Sequence, residues 1–204
     1  MIEAFVATLR RAAAVGDASV AALTRIVEER SFGAGAFLLE AGQRAEWSYF
    51  LFHGLVREFY VSETGEAHTR SFIAENGLTG SLVDLLSGQP AITWIQALEP
   101  TRTLAFRHRE FEALCARFAD LQNLARRHAE ALYVRKARRE HQMLALPAKA
   151  RHAAWLAENA QLDPRVRRNL LASYLGITPE HLSRLRSAAV RKSTPRAGRR
   201  QGSR

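Results

Sequence analysis

The stretch Arg168–Arg186, R-N-L-L-A-S-Y-L-G-I-T-P-E-H-L-S-R-L-R, constrains the fold of this chain more than any other part of it. It reads as two short helices joined by a tight turn, a helix-turn-helix. The first helix would bury Leu171, Ala172 and Leu175, with Ala172 small where two helices must approach closely. Gly176 stands at the turn, where a positive φ costs glycine little. Ile177 would plug the corner. Thr178 suits an N-cap, Pro179 the first helical position and Glu180 the first turn. The second helix would bury Leu182 and Leu185 and turn Glu180, His181, Ser183, Arg184 and Ser187 outward.

Charge narrows the class of partner. The 204 residues carry a formal charge of +10, which favours an anionic partner such as nucleic acid or an acidic membrane surface. Part of the excess lies in residues 191–204, where Arg191, Lys192, Arg196, Arg199, Arg200 and Arg204 meet no acid, and this stretch reads as a basic, disordered tail. The single cysteine, Cys115, falls in an apolar helical pattern and reads as a small buried hydrophobe. One cysteine builds neither an intramolecular disulfide nor a cysteine-ligated iron–sulfur cluster. There is no basic start followed by an apolar run, and no stretch approaches the roughly 18 apolar residues of a membrane span. The expectation is a soluble, cytoplasmic protein without membrane contact.

The texture changes along the chain. Residues 2–30 look helical, with Phe5, Leu9, Ala13, Leu23, Ile26 and Val27 at helical spacings and a break at Val15-Gly16-Asp17. From Ser31 to about Arg107 short apolar segments alternate with turn residues. Ala36–Glu40, Tyr49–Phe52, Leu55–Val61, His68–Ala74, Ile92–Leu98 and Thr103–Phe106 are the expected strands of an antiparallel sandwich or barrel. Leu82–Leu86 reads as a helical turn within it. Helical periodicity returns near Arg109. A helix of roughly 20 to 25 residues ending near Met143, preceded by a shorter one, is expected. Its stripe of Leu121, Leu124, His128, Ala131, Leu132 and Arg135 suits a partner helix or the chain's own β domain; both readings stand at this point. Pro147 closes the segment, Ala148–Asn159 is a further amphipathic helix, and Leu162-Asp163-Pro164 is a turn.

This order resembles the Crp/Fnr superfamily of bacterial transcription regulators over nearly the whole chain. The matching pieces are Gly35–Gly42, Tyr49–Gly54 with Val56-Arg57, and Leu170–Arg186, the last the most specific. The resemblance implies an α+β fold: an N-terminal antiparallel β-roll with flanking helices, a long dimerisation helix and a C-terminal helix-turn-helix DNA-binding domain. The expected divisions are 1–119 for the sensor roll, 120–146 for the dimerisation helix and linker, 147–190 for the DNA-binding domain and 191–204 for the tail. Members that bind cyclic nucleotides carry a Gly-Glu pair and a later arginine around the cyclic phosphate. Here Gly80-Ser81-Leu82 stands at the first position and about Ala91 at the second, with Thr93 nearby. Both charged ligands are missing, and a buried phosphate without a cation is costly. Cyclic AMP is therefore not expected as an effector, although Arg70 or Arg102 could rescue an anion site. The pocket either takes another ligand or is a packed scaffold. The cysteine group of iron–sulfur oxygen sensors is absent, and a full β-hairpin wing after Arg186 is not expected.

The resemblance also places a recognition helix from about Pro179. Glu180 and Arg184 lie one turn apart and suit a cytosine amino group and a guanine, respectively. His181 and Ser183 could reach a base edge or a phosphate. Thr178, Arg186, Arg165, Arg167 and Arg168 suit phosphates. The implied partners are double-stranded DNA and a second copy of the chain, with RNA polymerase a further candidate. No catalytic or metal-binding pattern emerges. The histidines at 53, 68, 108, 128, 141, 152 and 181 are scattered, and H-E-x-x-H, Walker A and G-x-S-x-G are absent. The competing reading is a ligand-sensing scaffold whose helical domain binds another protein.

Overall fold

A computed structural model describes residues 1–193, with side chains through residue 188. The chain divides into two compact units, Met1–Leu144 and a second beginning at Ala145.

The first unit opens with α1 (Ile2–Ala12) and α2 (Asp17–Thr24). Phe5 of α1 is buried, its ring 5.2 Å from that of Phe50. The chain becomes a strand earlier than its apolar spacing suggests: β1 spans Glu28–Phe32, inside the expected helical stretch to residue 30. Arg25 and Ile26 close α2 with short backbone bonds to Ala22 and Leu23. Glu28–Phe32 then pairs antiparallel with β8 (Thr101–Arg107), a partner some 70 residues away that local periodicity does not see.

The other strands are β2 (Phe37–Leu39), β3 (Trp47–His53), β4 (Val56–Val61), β5 (Ala67–Ile73), β6 (Leu78–Thr79) and β7 (Trp94–Ala97). Two four-stranded antiparallel sheets result, in the orders β1-β8-β3-β6 and β2-β7-β4-β5. Their shared core includes Leu38, Leu51, Val56, Ile95, Ala97 and Ala105. Strand β6, two residues long, is too short to show alternation in sequence. The expected helical turn is α3 (Leu82–Ser87).

After β8 come α4 (His108–Cys115) and the 27-residue α5 (Ala119–Ala145). Asp120 joins this helix to the start of α2, accepting from the Gly16 amide at 2.9 Å and the Ser19 hydroxyl at 2.7 Å. The expected stripe on α5 runs from buried to exposed positions. Leu121 and Leu124 are 0% and 7% exposed within one protomer, packed with Ala13, Val15, Leu23 and Leu114. His128 and Leu132 are half-buried along the same side, and burial holds the His128 imidazole below its ordinary pKa. Arg135 and Ala131 are exposed. Leu121 and Leu124, at the start of the stripe, are thus part of the face by which α5 covers its own unit. The exposed apolar residues of the helix lie elsewhere: Tyr133, Ala137 and Leu144, with His141 between them, follow steps of four and three along another side, beside Val134.

The second unit contains α6 (Ala148–Asn159), α7 (Arg168–Leu175) and α8 (Pro179–Ser193). Its core is Trp155, Leu162, Val166, Leu171, Ala172, Leu175 and Leu182, all buried. Helix α8 runs past residue 190, where the basic tail was expected to begin; residues 194–204 of that tail lie outside the described residues. Among the described residues no helix is long and apolar enough to cross a membrane.

Candidate functional site

The α7–α8 junction follows from its residues one by one. Gly176 adopts φ 64°, ψ 42°, the left-handed conformation that ends a helix and that glycine enters most cheaply. Its amide and that of Ile177 return to the Ser173 and Ala172 carbonyls. The Thr178 hydroxyl accepts from the His181 amide at 3.2 Å, and its carbonyl accepts from Leu182 at 3.0 Å, which starts α8 as a capped helix. Leu182 is fully buried against α7, while Leu185 is only half-buried. Arg151 of α6 holds the same C-terminal end of α7, donating to the Leu175 carbonyl at 2.9 Å and to the Leu146 carbonyl at 2.6 Å.

What α8 leaves to solvent is polar. Thr178, Pro179, Glu180, Arg184 and Ser187 are exposed, and His181 and Ser183 are half-exposed. Arg167 and Arg168 stand exposed at the start of α7. Bonds from its own amide and the Thr178 hydroxyl hold the Glu180 carboxyl below its usual pKa, with the Arg184 charge adding to them. Arg186 differs from its neighbours. Its guanidinium meets Asp163 Oδ1 at 2.7 Å, half-buried, beneath the helix. Buried His152 lies in the field of that ion pair. Burial first, and the Arg186 charge second, lower its pKa.

The second candidate site is the cassette at α3. Gly80 sits at φ 145°, where a Cβ would come within 2.6 Å of the Trp47 carbonyl oxygen, so only glycine passes. Ser81 follows at φ 49°, ψ 77°, left-handed and 2% exposed. Its hydroxyl donates to Asp84 Oδ2 at 2.6 Å and lies 2.9 Å from the Thr93 hydroxyl. The Ile92 amide donates to Asp84 Oδ1 at 3.2 Å. Ser81, Asp84, Ala91 and Thr93 are all buried, and Leu82 is half-buried. Burial pushes the Asp84 carboxyl up, but hydrogen bonds from Ser81, Thr93 and Ile92 outweigh it, and its pKa lies below the ordinary value.

Beside this cluster Glu58 is buried on β4, accepting from the Ser71 and Thr79 hydroxyls at 2.7 Å each. Arg70 lies 3.8 Å from Glu58, and Lys136 of α5 is in the field of Arg70, Glu58 and Asp84. Burial and the Arg70 charge lower the Lys136 pKa. Arg102 is not part of the cluster. It faces outward on β8, 3.9 Å from Glu29, so it supplies no cation to the cassette. Arg57 is buried on the Phe59 ring, bonded to Thr69 at 2.8 Å, and burial pushes its pKa down to about 10.

The sequence reading found Ser81, Ala91 and Thr93 and missed Asp84, Glu58 and Lys136. The S-x-x-D spacing of Ser81 and Asp84, that of a capping box, was the one local signal. Among the described residues no group of three or more His, Cys, Asp or Glu could hold a metal ion.

Residues 29–118, which contain both sheets and the α3 cassette, match the family model of the cyclic nucleotide-binding domain. That stretch is similar to cyclic nucleotide-binding domains. Solved bacterial regulators share the chain's fold. FixK2 from Bradyrhizobium japonicum superposes with a TM-score of 0.69 at 21% identity, covering 86% of this chain and 90% of that one. The catabolite activator protein of Thermus thermophilus superposes at 0.54 with 24% identity, covering 91% and 89%. The c-di-GMP responsive global regulator CLP of Xanthomonas campestris superposes at 0.65 with 13% identity, covering 90% and 96%. No curated protein sequence matches the chain. Within the matched stretch, the position expected to hold a cationic arginine is the buried Ala91.

Proposed function

We propose that this chain is a sequence-specific DNA-binding transcription regulator of the Crp/Fnr type, a homodimer that binds an inverted repeat and is not controlled by cyclic AMP. The observation that carries the reading is α8. It is capped at Thr178, held down through Leu182, and leaves Glu180 and Arg184 exposed one turn apart in a chain of charge +10.

Such a helix enters the major groove by its N-terminal end. Glu180 accepts from a cytosine amino group, and Arg184 donates to both acceptors of a guanine. Arg167, Arg168 and Thr178 hold phosphates, which set register without reading sequence. His181 and Ser183 stand between these roles. Arg186, engaged by Asp163, acts chiefly to position α8.

One helix-turn-helix makes too few contacts for tight specific binding. Two copies set recognition helices about 34 Å apart on a pseudo-palindrome. The exposed Tyr133–Ala137–Leu144 side of α5, with Val134, supplies the two-fold seam in place of the stripe through Leu121.

The salt dependence of binding to duplex DNA tests the reading against a protein-binding scaffold. Phosphate neutralisation by several arginines gives a steep fall of affinity with salt. A chain that binds no duplex even at low salt would contradict the proposal.

A further inference from the structure

We propose that Asp84 is the built-in occupant of the cassette, a carboxylate supplied by the chain itself where a ligand's anionic group would otherwise sit. This inference rests on the reading of the domain as independent of cyclic AMP, and it gives that independence a physical cause.

Three things place the carboxylate there. First, its donors converge from two separate segments. The Ser81 hydroxyl arrives from the left-handed residue ahead of α3, while the Ile92 amide and Thr93 arrive from the approach to β7. Both carboxylate oxygens are used. Second, the donors are the kind that bind an oxyanion, hydroxyls and an amide, and they are out of water: Ser81 is 2% and Thr93 0% exposed. A left-handed non-glycine residue costs free energy, and its hydroxyl is aimed by that conformation at Asp84. Third, a phosphate in this donor set would lack its cation at Ala91 and would face the Asp84 charge. The carboxylate needs no such cation, being held by three hydrogen-bonding residues with the Lys136 charge beyond them. Lys136, exposed on the long helix, also lies in the field of Glu58.

Anion rescue tests this. Thermal unfolding of the full chain is followed for wild type, Asp84→Ala and Asp84→Asn. Sodium acetate, sodium phosphate and sodium chloride are compared at matched pH and ionic strength, with cyclic AMP in a separate series. Wild type sets the non-specific response to each salt and is expected not to respond to cyclic AMP. Asp84→Ala is expected to lose about 3–8 °C, consistent with lost buried hydrogen bonds. Acetate should return part of that loss saturably, whereas Asp84→Asn, whose space is already filled, should gain nothing. If Asp84→Ala does not fold, Asp84→Ser carries the same comparison. A folded variant stabilised by neither acetate nor phosphate beyond the wild-type response would make Asp84 an ordinary structural residue and overturn the inference alone. Saturable stabilisation of wild type by cyclic AMP would overturn both the inference and the reading beneath it.

Discussion

The Arg186 guanidinium meets Asp163 Oδ1 at 2.7 Å, and the Trp155 indole N–H donates to the same oxygen at 2.9 Å. One carboxylate thus ties α8 to α6 through the loop ahead of α7. The tie fixes where the N-terminal end of α8 presents Glu180 and Arg184. Arg186→Ala should destabilise the helical unit by about 1–2 kcal/mol, a figure reduced for the partial exposure of the pair. Arg186→Lys should recover only part of this, because an ammonium lacks the planar fork. Denaturant unfolding followed by Trp155 fluorescence, with Trp47 and Trp94 replaced by Phe, checks the loss. An unchanged midpoint with weakened DNA binding would make Arg186 a phosphate contact instead.

Arg184→Ala should remove about 1–3 kcal/mol of base discrimination per half-site while leaving non-specific binding nearly intact. Arg168→Ala should weaken binding to specific and random duplexes alike. Competition titrations with an operator and a scrambled duplex separate the two. Equal losses for Arg184→Ala would reassign it to the phosphate backbone.

The two sides of α5 make opposite predictions. Leu121→Ala should cost about 2–5 kcal/mol of stability, because Leu121 is fully buried within one protomer. Tyr133→Glu with Leu144→Glu should leave protomer stability within about 0.5 kcal/mol. That double variant should raise the monomer fraction in sedimentation. An unaltered dimer would place the seam elsewhere.

Buried His152 has a pKa below the usual 6.5, so the folded state resists its protonation. The unfolded chain binds this proton more readily. The stability tied to the neutral imidazole is therefore fully present above about pH 6.5 and is lost as pH falls through that value toward the lowered one. Thermal unfolding of wild type and His152→Gln from pH 8 to about pH 5.5 should show a shallower dependence in the variant. Parallel curves would remove His152 from the account.

The helix-turn-helix was legible because its local chemistry is dense: Gly176 at a left-handed turn, Thr178 as a cap, Ala172 and Leu182 inward. The strands were legible as alternating segments, apart from β6, which is two residues long, and the start of β1, which its β8 partner decides. The α5 stripe shows the limit of periodicity. It found an apolar side correctly, but a single chain cannot tell whether that side meets its own α2 and α4 or a second copy. Asp84 was missed for a related reason. Its role depends on Ile92 and Thr93 arriving across a loop, and no local pattern encodes that approach.

Selection of genomic DNA fragments by the purified full chain, at about 150 mM salt and without added ligand, tests the central claim most directly, because non-specific electrostatic binding is weakened there. The account predicts enrichment of an inverted repeat whose half-sites contain a G·C pair and lie about one helical turn apart. Recovery of random fragments alone, with affinity that simply falls as salt rises, would contradict it.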